Sequence, residues 1–131
     1  MLNKIDANEA PEINGDGSQA YDFIYVEDAA RANVLAIQAT STDEIYNVGT
    51  GKQTTIRELC EMILELTGSE CDISYNPYDA NDIRQFVQNR IGCPKKAERD
   101  LGFCEEIDLR EGLRRLIAWR AMGQGDGSNL S

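Results

Sequence analysis

The clearest pattern of hydrophobic and polar positions predicts an amphipathic helix between Thr55 and Gly68. Apolar residues recur there three or four positions apart, a spacing that puts them on one face of a helix. Thr55 and Glu58 have the types and spacing of a capping box, and Gly68 favours the left-handed conformation that ends many helices. The apolar positions are Ile56, Leu59, Cys60, Ile63 and Leu66.

Four other segments have weaker helical periodicity and are also predicted to be helices. Because the first begins at residue 1, we expect that the chain once continued upstream. Pro94 should be the first helical residue of the third, with Gly102 at its end. Asp108 and Glu111 should open the last, which carries Leu109, Leu113, Leu116 and Ile117 inward. The segments are residues 1–10, 28–39, 94–101 and the stretch after Asp108.

The helix over residues 28–39 carries a prediction about its orientation. Asp28 is a residue type that caps helix N-termini. Ala30, Val34 and Ile37 recur at helical spacing, so we expect them to form the buried stripe.

Segments rich in β-branched and aromatic residues alternate with these helices. Residues 12–26 predict a hairpin, because residues 14–18 are turn formers that tolerate positive φ. Short strands are also predicted over residues 45–48 and 71–75. Strands that alternate with helices indicate an α/β fold, but they are too few for a complete doubly wound sheet.

Charge and composition narrow the range of partners. The 131 residues carry a net charge of −10, which disfavours nucleic acids and anionic membranes. No apolar run approaches the roughly 20 residues that cross a bilayer, and the N-terminus does not have the pattern of a signal peptide. Residues 123–131 are rich in Gly, Ser and Asp and are predicted to be a disordered tail.

The cysteines predict neither a metal site nor a disulfide framework. None of the four lies in a Cys-x-x-Cys pair, and the chain has no histidine. Structural zinc sites use clustered Cys and His ligands. We therefore expect reduced thiols in a cytoplasmic protein.

Two motifs of dinucleotide-dependent enzymes are missing from the sequence. Gly49-Thr50-Gly51 lies between a predicted strand and a helix, but Thr54 replaces the third glycine of Gly-x-Gly-x-x-Gly. We interpret this loop as a tight turn. No Tyr-x-x-x-Lys pair occurs, and the lack of histidine excludes a Ser-His or Cys-His nucleophile. The sequence therefore predicts no catalytic residue and no cofactor site.

Four segments carry a resemblance, in this order: residues 15–28, 46–51 with 55–59, 96–103 and 109–119. They resemble the extended short-chain dehydrogenase/reductase family, whose members include NAD-dependent nucleotide-sugar epimerases and dehydratases. The resemblance covers nearly the whole chain, from about Leu2 to Trp119. The resemblance implies that residues 1–122 are the C-terminal, substrate-binding portion of an extended Rossmann-type epimerase, with a few short strands and about four helices. The family's cofactor fingerprint and Tyr-x-x-x-Lys pair lie upstream of the first match.

The resemblance also implies binding roles for particular residues. The backbone before the Gly-Asp-Gly turn, which includes Ile13 and Asn14, would contact the nucleotide base. Tyr21 stands where the family often has an arginine that reaches the diphosphate. Arg84 and Arg90 both qualify as a second diphosphate-binding arginine, and Arg90 is the first choice because it precedes a predicted helix start.

The absence of a cofactor site leaves two hypotheses open. In the first, the chain binds a nucleotide-diphosphate sugar and is inactive without a cofactor-binding domain that carries NAD. In the second, it is a non-catalytic module that forms homo-oligomers or binds a partner, because missing sheet neighbours would expose apolar faces. The nucleotide base, the sugar and the choice between epimerase and dehydratase stay open.

Cys93 replaces the family's aspartate before the helix over 94–101, which predicts a weaker N-terminal cap.

Overall fold

The structure is a computed structural model that describes residues 1–41, 43–78 and 89–124. Within these ranges, five helices alternate with five short strands, in agreement with the predicted α/β class. The helices are α1 (Leu2–Asp6), α2 (Val26–Gln38), α3 (Ile56–Thr67), α4 (Lys95–Leu101) and α5 (Leu109–Gln124). The strands are β1 (Glu12–Asn14), β2 (Ala20–Tyr21), β3 (Thr54–Thr55), β4 (Ser74–Asn76) and β5 (Asn89–Arg90).

The strands form two small sheets, and the hairpin predicted over residues 12–26 is wrong. β1 pairs in parallel with β4, whereas β2 lies between β3, which is antiparallel to it, and β5, which is parallel. The turn after β1 sends the chain towards α3 instead of back along β1. The carbonyl of Gly17 accepts from the amide of Arg57, and the carbonyl of Gln19 accepts from the amide of Ile56.

Helix α3 matches its prediction closely. The amide of Glu58 donates to the Thr55 hydroxyl at 3.1 Å, and the Thr55 amide donates to the Glu58 carboxylate at 2.7 Å. Gly68 ends the helix with a φ of 66°. Cys60 and Ile63 are buried. Burial also raises the pKa of the Cys60 thiol.

Two clusters of apolar side chains hold the helices together. In the first, Ile5 of α1, Ile63 of α3 and Leu113 of α5 pack against one another. In the second, Ala32 of α2 meets Ala97 of α4 and Phe103. A small domain with a divided core relies on polar contacts to fix its elements, and two aspartates supply them.

The predicted orientation of α2 is wrong. The helix begins at Val26, so Asp28 lies inside its first turn rather than capping it. Ala32 is buried, whereas Ala30 is exposed and Val34 and Ile37 are 51% and 84% exposed.

The cause is the side chain of Asp28, which is 1% exposed. Its carboxylate accepts from Arg31 at 2.7 Å and from the amides of Glu106 and Ile107 at 3.1 and 3.0 Å. These contacts turn the face of α2 that carries Asp28 and Ala32 towards α4. The spacing of the apolar residues had predicted that a different face of α2 would be buried.

Residues 45–48 do not form the predicted strand. They have no ladder partner among the described residues, and a strand requires one. Tyr46 packs against the second apolar cluster, while Ile45 is 86% exposed. In the segment predicted over 71–75, β4 begins only at Ser74.

The last two helices follow their predictions with small differences. The amide of Glu111 donates to Asp108 at 2.8 Å, as expected for the cap of α5. Leu113 is buried, but Leu116 is 38% exposed. α5 reaches Gln124, two residues into the predicted tail, and residues 125–131 lie outside the described part of the chain. In α4, Pro94 is the N-cap instead of the first helical residue, and Gly102 ends the helix.

The structure also bears on the predictions about cysteines, metal sites and membrane spans. All four cysteines are free. No group of metal-ligating side chains gathers among the described residues. Across the same residues, every helix is too short or too polar to span a bilayer.

Asp22 joins the end of β2 to two loops that are distant in sequence. One carboxylate oxygen accepts the Thr50 amide at 2.9 Å and the Thr50 hydroxyl at 2.7 Å, and the other accepts the Gly51 amide at 2.9 Å. The amide of Gly92, in the chain after β5, also lies close enough to donate to the Asp22 carboxylate. Gly49 has no room for a side chain, because a Cβ there would lie 2.5 Å from the carboxylate.

These donors decide the charge state of Asp22. Partial burial raises the pKa of its carboxyl. The hydroxyl and amide of Thr50, with the amides of Gly51 and Gly92, outweigh that effect and hold the pKa below its usual value. The pKa of the Asp28 carboxyl is lowered for the same reason. Burial raises it, but hydrogen bonds from Arg31 and from the amides of Ile107 and Glu106 lower it by more. Both are therefore carboxylates at neutral pH.

We predict that Asp22→Asn lowers the free energy of unfolding by about 2–3 kcal/mol, because an amide side chain leaves backbone donors unpaired. Urea denaturation at fixed protein concentration measures the change. Asp72→Asn, at an exposed position, is the matched control and should stay within about 0.5 kcal/mol of the wild type. Equal losses in the two variants would contradict a structural role for Asp22.

We further predict a loss of stability in acid that depends on Asp22 and Asp28. Because their folded pKa values are lowered, the unfolded chain binds more protons as the pH falls below the unfolded pKa of about 3.9. The stabilisation is complete above that pKa and disappears as the pH falls through the folded values. Thermal unfolding between about pH 5 and pH 2.5 should therefore show a flatter slope for Asp22→Asn with Asp28→Asn than for the wild type. An unchanged slope would show that these two carboxyls do not cause the loss of stability in acid.

Candidate functional site

The loop from Gly49 to Gly51 is a tight turn, as interpreted from its sequence. The amides of Thr50 and Gly51 both donate to the carboxylate of Asp22. In phosphate-binding loops, amides of this kind donate to the ligand instead. Here the chain's own carboxylate takes that place.

Beside this loop, one face of the β3-β2-β5 sheet brings Tyr21 and Arg90 together. Tyr21 of β2 is paired with Thr54 of β3 on one side and with Arg90 of β5 on the other. Directly paired residues point to the same face of a sheet. The Asp22 amide also donates to the Arg90 carbonyl at 3.0 Å, so the backbone of Asp22 fixes this register.

The same face carries a second aromatic ring. Phe23 follows Tyr21 by two positions, and the two rings meet edge to face with centroids 6.0 Å apart. A cavity of about 60 Å³ beside Phe23 and Thr54 also contacts Lys52 and Glu105. Lys52 forms an ion pair with Glu105, so its charge is already balanced.

Arg90 is the available cation on this face. It is exposed and forms no ion pair with another described residue. Arg84, the other predicted arginine, lies outside the described residues. The face therefore combines two aromatic rings, a hydroxyl and one guanidinium. It can hold an anionic group next to a ring or a sugar.

Ile13 and Asn14, predicted to contact a nucleotide base, lie in the other sheet. Ile13 is 2% exposed, main chain included, so it offers a ligand almost no surface, whereas Asn14 is exposed. The Nε2 atom of Gln19 donates to the Asn14 carbonyl at 2.9 Å. Because Gln19 immediately precedes β2, its side chain ties the end of β1 to the strand that carries Tyr21.

Gln19 is a positioning residue that the sequence analysis missed. It is 8% exposed, and its Nε2 atom also donates to the hydroxyl of Tyr78. Its Oε1 atom is buried and has no hydrogen-bond partner among the described residues. The Tyr78 ring lies against Gly15, where a Cβ would collide with it. A glutamine beside a turn gives no sequence signal for such contacts.

Next to this junction is an open cavity of about 640 Å³. Arg57 lies over the ring of Tyr75 at 5.6 Å and donates to the carbonyl of Asp16 at 2.7 Å. These contacts occupy the guanidinium from two sides, so this cavity offers a ligand less free charge than the Arg90 face. Its lining is Gly15, Asp16, Ser18, Arg57, Tyr75, Asn76, Pro77 and Tyr78.

The helix that follows Arg90 begins without a side-chain cap. Pro94 is the N-cap of α4, and its side chain cannot accept a hydrogen bond from the helix. Cys93 beside it is exposed. This agrees with the weak cap expected from Cys93.

Known proteins resemble the chain over most of its length. The profile of a family described as GDP-mannose 4,6 dehydratase matches residues 1–116. The "Putative UDP-glucose 4-epimerase" of Methanocaldococcus jannaschii is 39% identical over 120 residues, which are 91% of this chain and 37% of that protein.

Solved structures give the same picture. A UDP-glucose 4-epimerase from Thermotoga maritima, determined with UDP-glucose, has a TM-score of 0.84 at 31% identity. The match covers 92% of this chain and 38% of that one. An enzyme from Bordetella bronchiseptica in complex with NAD+ and UDP has a TM-score of 0.78 at 29% identity, over 93% of this chain and 35% of that one.

The chain thus spans little more than a third of the length of the relatives it matches. The family profile covers most of the chain, and the structural likeness extends over the same region. This chain belongs to the GDP-mannose 4,6-dehydratase family of NAD-dependent nucleotide-sugar epimerases and dehydratases, and it corresponds to the C-terminal part of its members.

Proposed function

We propose that this chain binds the nucleotide diphosphate of a sugar nucleotide on the face of the β3-β2-β5 sheet, with Arg90 as the anchoring cation. The observation that carries the proposal is the register of β2 and β5. It holds Arg90 directly beside Tyr21.

The chemistry of Arg90 fits a phosphate ligand. A guanidinium meets two phosphate oxygens with parallel N–H groups, and such charge-assisted contacts are stronger than neutral ones. Arg90 is exposed and free of ion pairs with other described residues, so it gives up no such partner when an anion binds. Its backbone is fixed by the β2 ladder and by the Asp22 amide.

Tyr21 adds recognition of a different kind. Its ring is half-buried against Phe23 and its hydroxyl can donate to a phosphate or sugar oxygen. The backbone of Asn14, which Gln19 ties to β2 and which follows the buried Ile13, is proposed to meet the base. Arg84 is proposed as a second phosphate ligand.

NAD chemistry is proposed to reside in another part of the enzyme, because the described residues do not fit a dinucleotide. The only glycine-rich loop between extended chain and a helix in the described ranges donates its amides to Asp22. In the whole enzyme, NAD would oxidise a sugar hydroxyl. The residues of this chain would bind and orient the substrate. We therefore propose that the chain alone does not turn over and that a cofactor-binding domain is its partner.

We predict that the chain binds UDP and that Arg90→Ala weakens binding about ten- to a hundredfold. This is the effect of losing a charge-assisted contact of about 1.5–3 kcal/mol. Arg90→Lys should recover only part, because an ammonium lacks the planar fork. Isothermal titration calorimetry with UDP and with UDP-glucose measures both affinities.

The control for this test is Arg114→Ala, on the exposed surface of α5, where the arginine is paired with Glu111. It should leave UDP affinity unchanged. No UDP binding by the wild-type chain would defeat the proposal. If Arg90→Ala binds normally but melts several degrees lower, Arg90 has a structural role instead.

We also predict that NAD does not bind to the chain. The physical reason is the occupied loop, whose Thr50 and Gly51 amides would have to leave Asp22 to meet a phosphate. Calorimetric titration with NAD, run beside the UDP titration, should give no heat of binding. Micromolar affinity for NAD would contradict the assignment.

A further inference from the structure

The open cavity of about 640 Å³ lies where the parallel strands β1 and β4 end. Gly15 and Asp16 follow β1 directly, Pro77 and Tyr78 follow β4, and all four residues belong to the cavity lining. In α/β folds, ligands bind beyond the carboxyl ends of parallel strands. The volume also falls within the range of about 300–1,000 Å³ that is usual for small-molecule sites.

One wall of this cavity consists of an arginine and a tyrosine ring. Arg57 lies over the ring of Tyr75, with its Cζ atom 5.6 Å from the ring centroid. Its guanidinium donates to the carbonyl of Asp16 at 2.7 Å, and its amide donates to the carbonyl of Gly17 at 3.1 Å. These contacts order a side chain that is otherwise exposed. Much of the entropy of fixing Arg57 is therefore lost during folding and not when a ligand binds.

The Arg57–Tyr75 pair offers a ligand a flat surface more than a free charge. A guanidinium is planar and delocalised, and nucleobases stack on it as they do on aromatic rings. Tyr75 is 46% exposed, so part of its ring is also accessible. The ring of Tyr78, which lies against Gly15, adds a further flat group to the lining. Such a lining suits a planar heteroaromatic group.

We propose that the Arg57–Tyr75 pair is the platform on which the base of the sugar nucleotide stacks. This rests on the proposed function, because it places the base of the same ligand whose diphosphate Arg90 binds. Ser18 in the cavity wall precedes Tyr21 by three residues, so their Cα atoms are at most about 11 Å apart. The ribose and the phosphates of one nucleotide can connect two sites at that separation.

Gln19 keeps the two sites in a fixed relation. On the cavity side, its Nε2 atom donates to the carbonyl of Asn14 and to the hydroxyl of Tyr78. Its backbone carbonyl accepts from the amide of Ile56, the residue before Arg57. Because Gln19 directly precedes β2, these bonds connect the base platform to the strand that carries the diphosphate site.

The test compares UDP with ribose 5-diphosphate, which has a hydroxyl in place of the base, by isothermal titration calorimetry. The wild-type chain should bind UDP at least about fivefold more tightly, because stacking of one base contributes at least that much. Arg57→Lys keeps the charge but lacks the plane, so it should remove most of this preference. Its affinity for ribose 5-diphosphate should stay unchanged.

Two further variants, checked for folding by circular dichroism like the first, complete the test. Tyr75→Val removes the ring under the guanidinium but keeps a residue type that favours strands, and it should weaken UDP binding in the same selective way. Arg115→Lys is the matched control. Arg115 lies over the ring of Tyr25 at 5.8 Å, in the same kind of pair but outside the cavity lining. This control should leave both affinities unchanged.

Three results would overturn the proposal. Equal affinities of the wild-type chain for the two ligands would show that the base makes no contact of consequence. Equal losses of both ligands in Arg57→Lys would assign Arg57 to the diphosphate or to the fold. Normal UDP binding by Arg57→Lys and Tyr75→Val would exclude this pair as the platform.

Arg90→Ala separates this proposal from the proposed function, since it should weaken UDP and ribose 5-diphosphate alike. If it weakens neither while Arg57→Lys still acts on UDP alone, the diphosphate assignment is wrong and the platform stands. If it weakens both while Arg57→Lys weakens neither, the platform is wrong and the diphosphate assignment stands. Binding of neither ligand by the wild-type chain would overturn both.

Discussion

The carboxylate of Asp22 is the interaction on which the arrangement of the site depends. The strands of the β3-β2-β5 sheet are two residues long, and ladders of that length hold few hydrogen bonds. Asp22 adds bonds to the loop that precedes β3 and to the chain that follows β5, and its own amide bonds to Arg90. A single ionised side chain therefore joins three segments that are far apart in sequence. Asp28 does the same for α2 and the loop before α5. The divided apolar core leaves these connections to the two carboxylates.

The parts of the fold that the sequence predicted well are those with local causes. The capping box of Thr55 and Glu58 and the left-handed Gly68 act within one turn of α3, so their spacing was sufficient evidence. α2 was placed correctly along the chain but rotated wrongly. Its orientation depends on amides of Glu106 and Ile107, which no pattern inside the helix reveals. The hairpin failed for the same reason, because β1 pairs with β4 from a later part of the chain.

In the candidate site too, features with local causes differ from features that depend on contacts between distant segments. Tyr21 and Arg90 were predicted one at a time, from a resemblance, whereas their adjacency comes from a parallel pairing of distant strands. Gln19 was missed altogether, since its role consists of one buried amide group that meets Asn14 and Tyr78. The tight turn at Gly49-Thr50-Gly51, by contrast, was interpreted from the spacing of its glycines alone. The structure adds the reason that Gly49 is needed, which is the closeness of Asp22.

The four free thiols differ in a way that makes one of them a reporter of motion. Cys93 and Cys104 are exposed, whereas Cys60 is fully buried in α3 and its pKa is raised by burial. Because the thiolate is the form that reacts with alkylating reagents, both properties protect Cys60. Alkylation at that sulfur therefore requires α3 to separate from the core. Its rate, compared with the rates at the exposed thiols of the same molecule, measures how often the interior opens under native conditions.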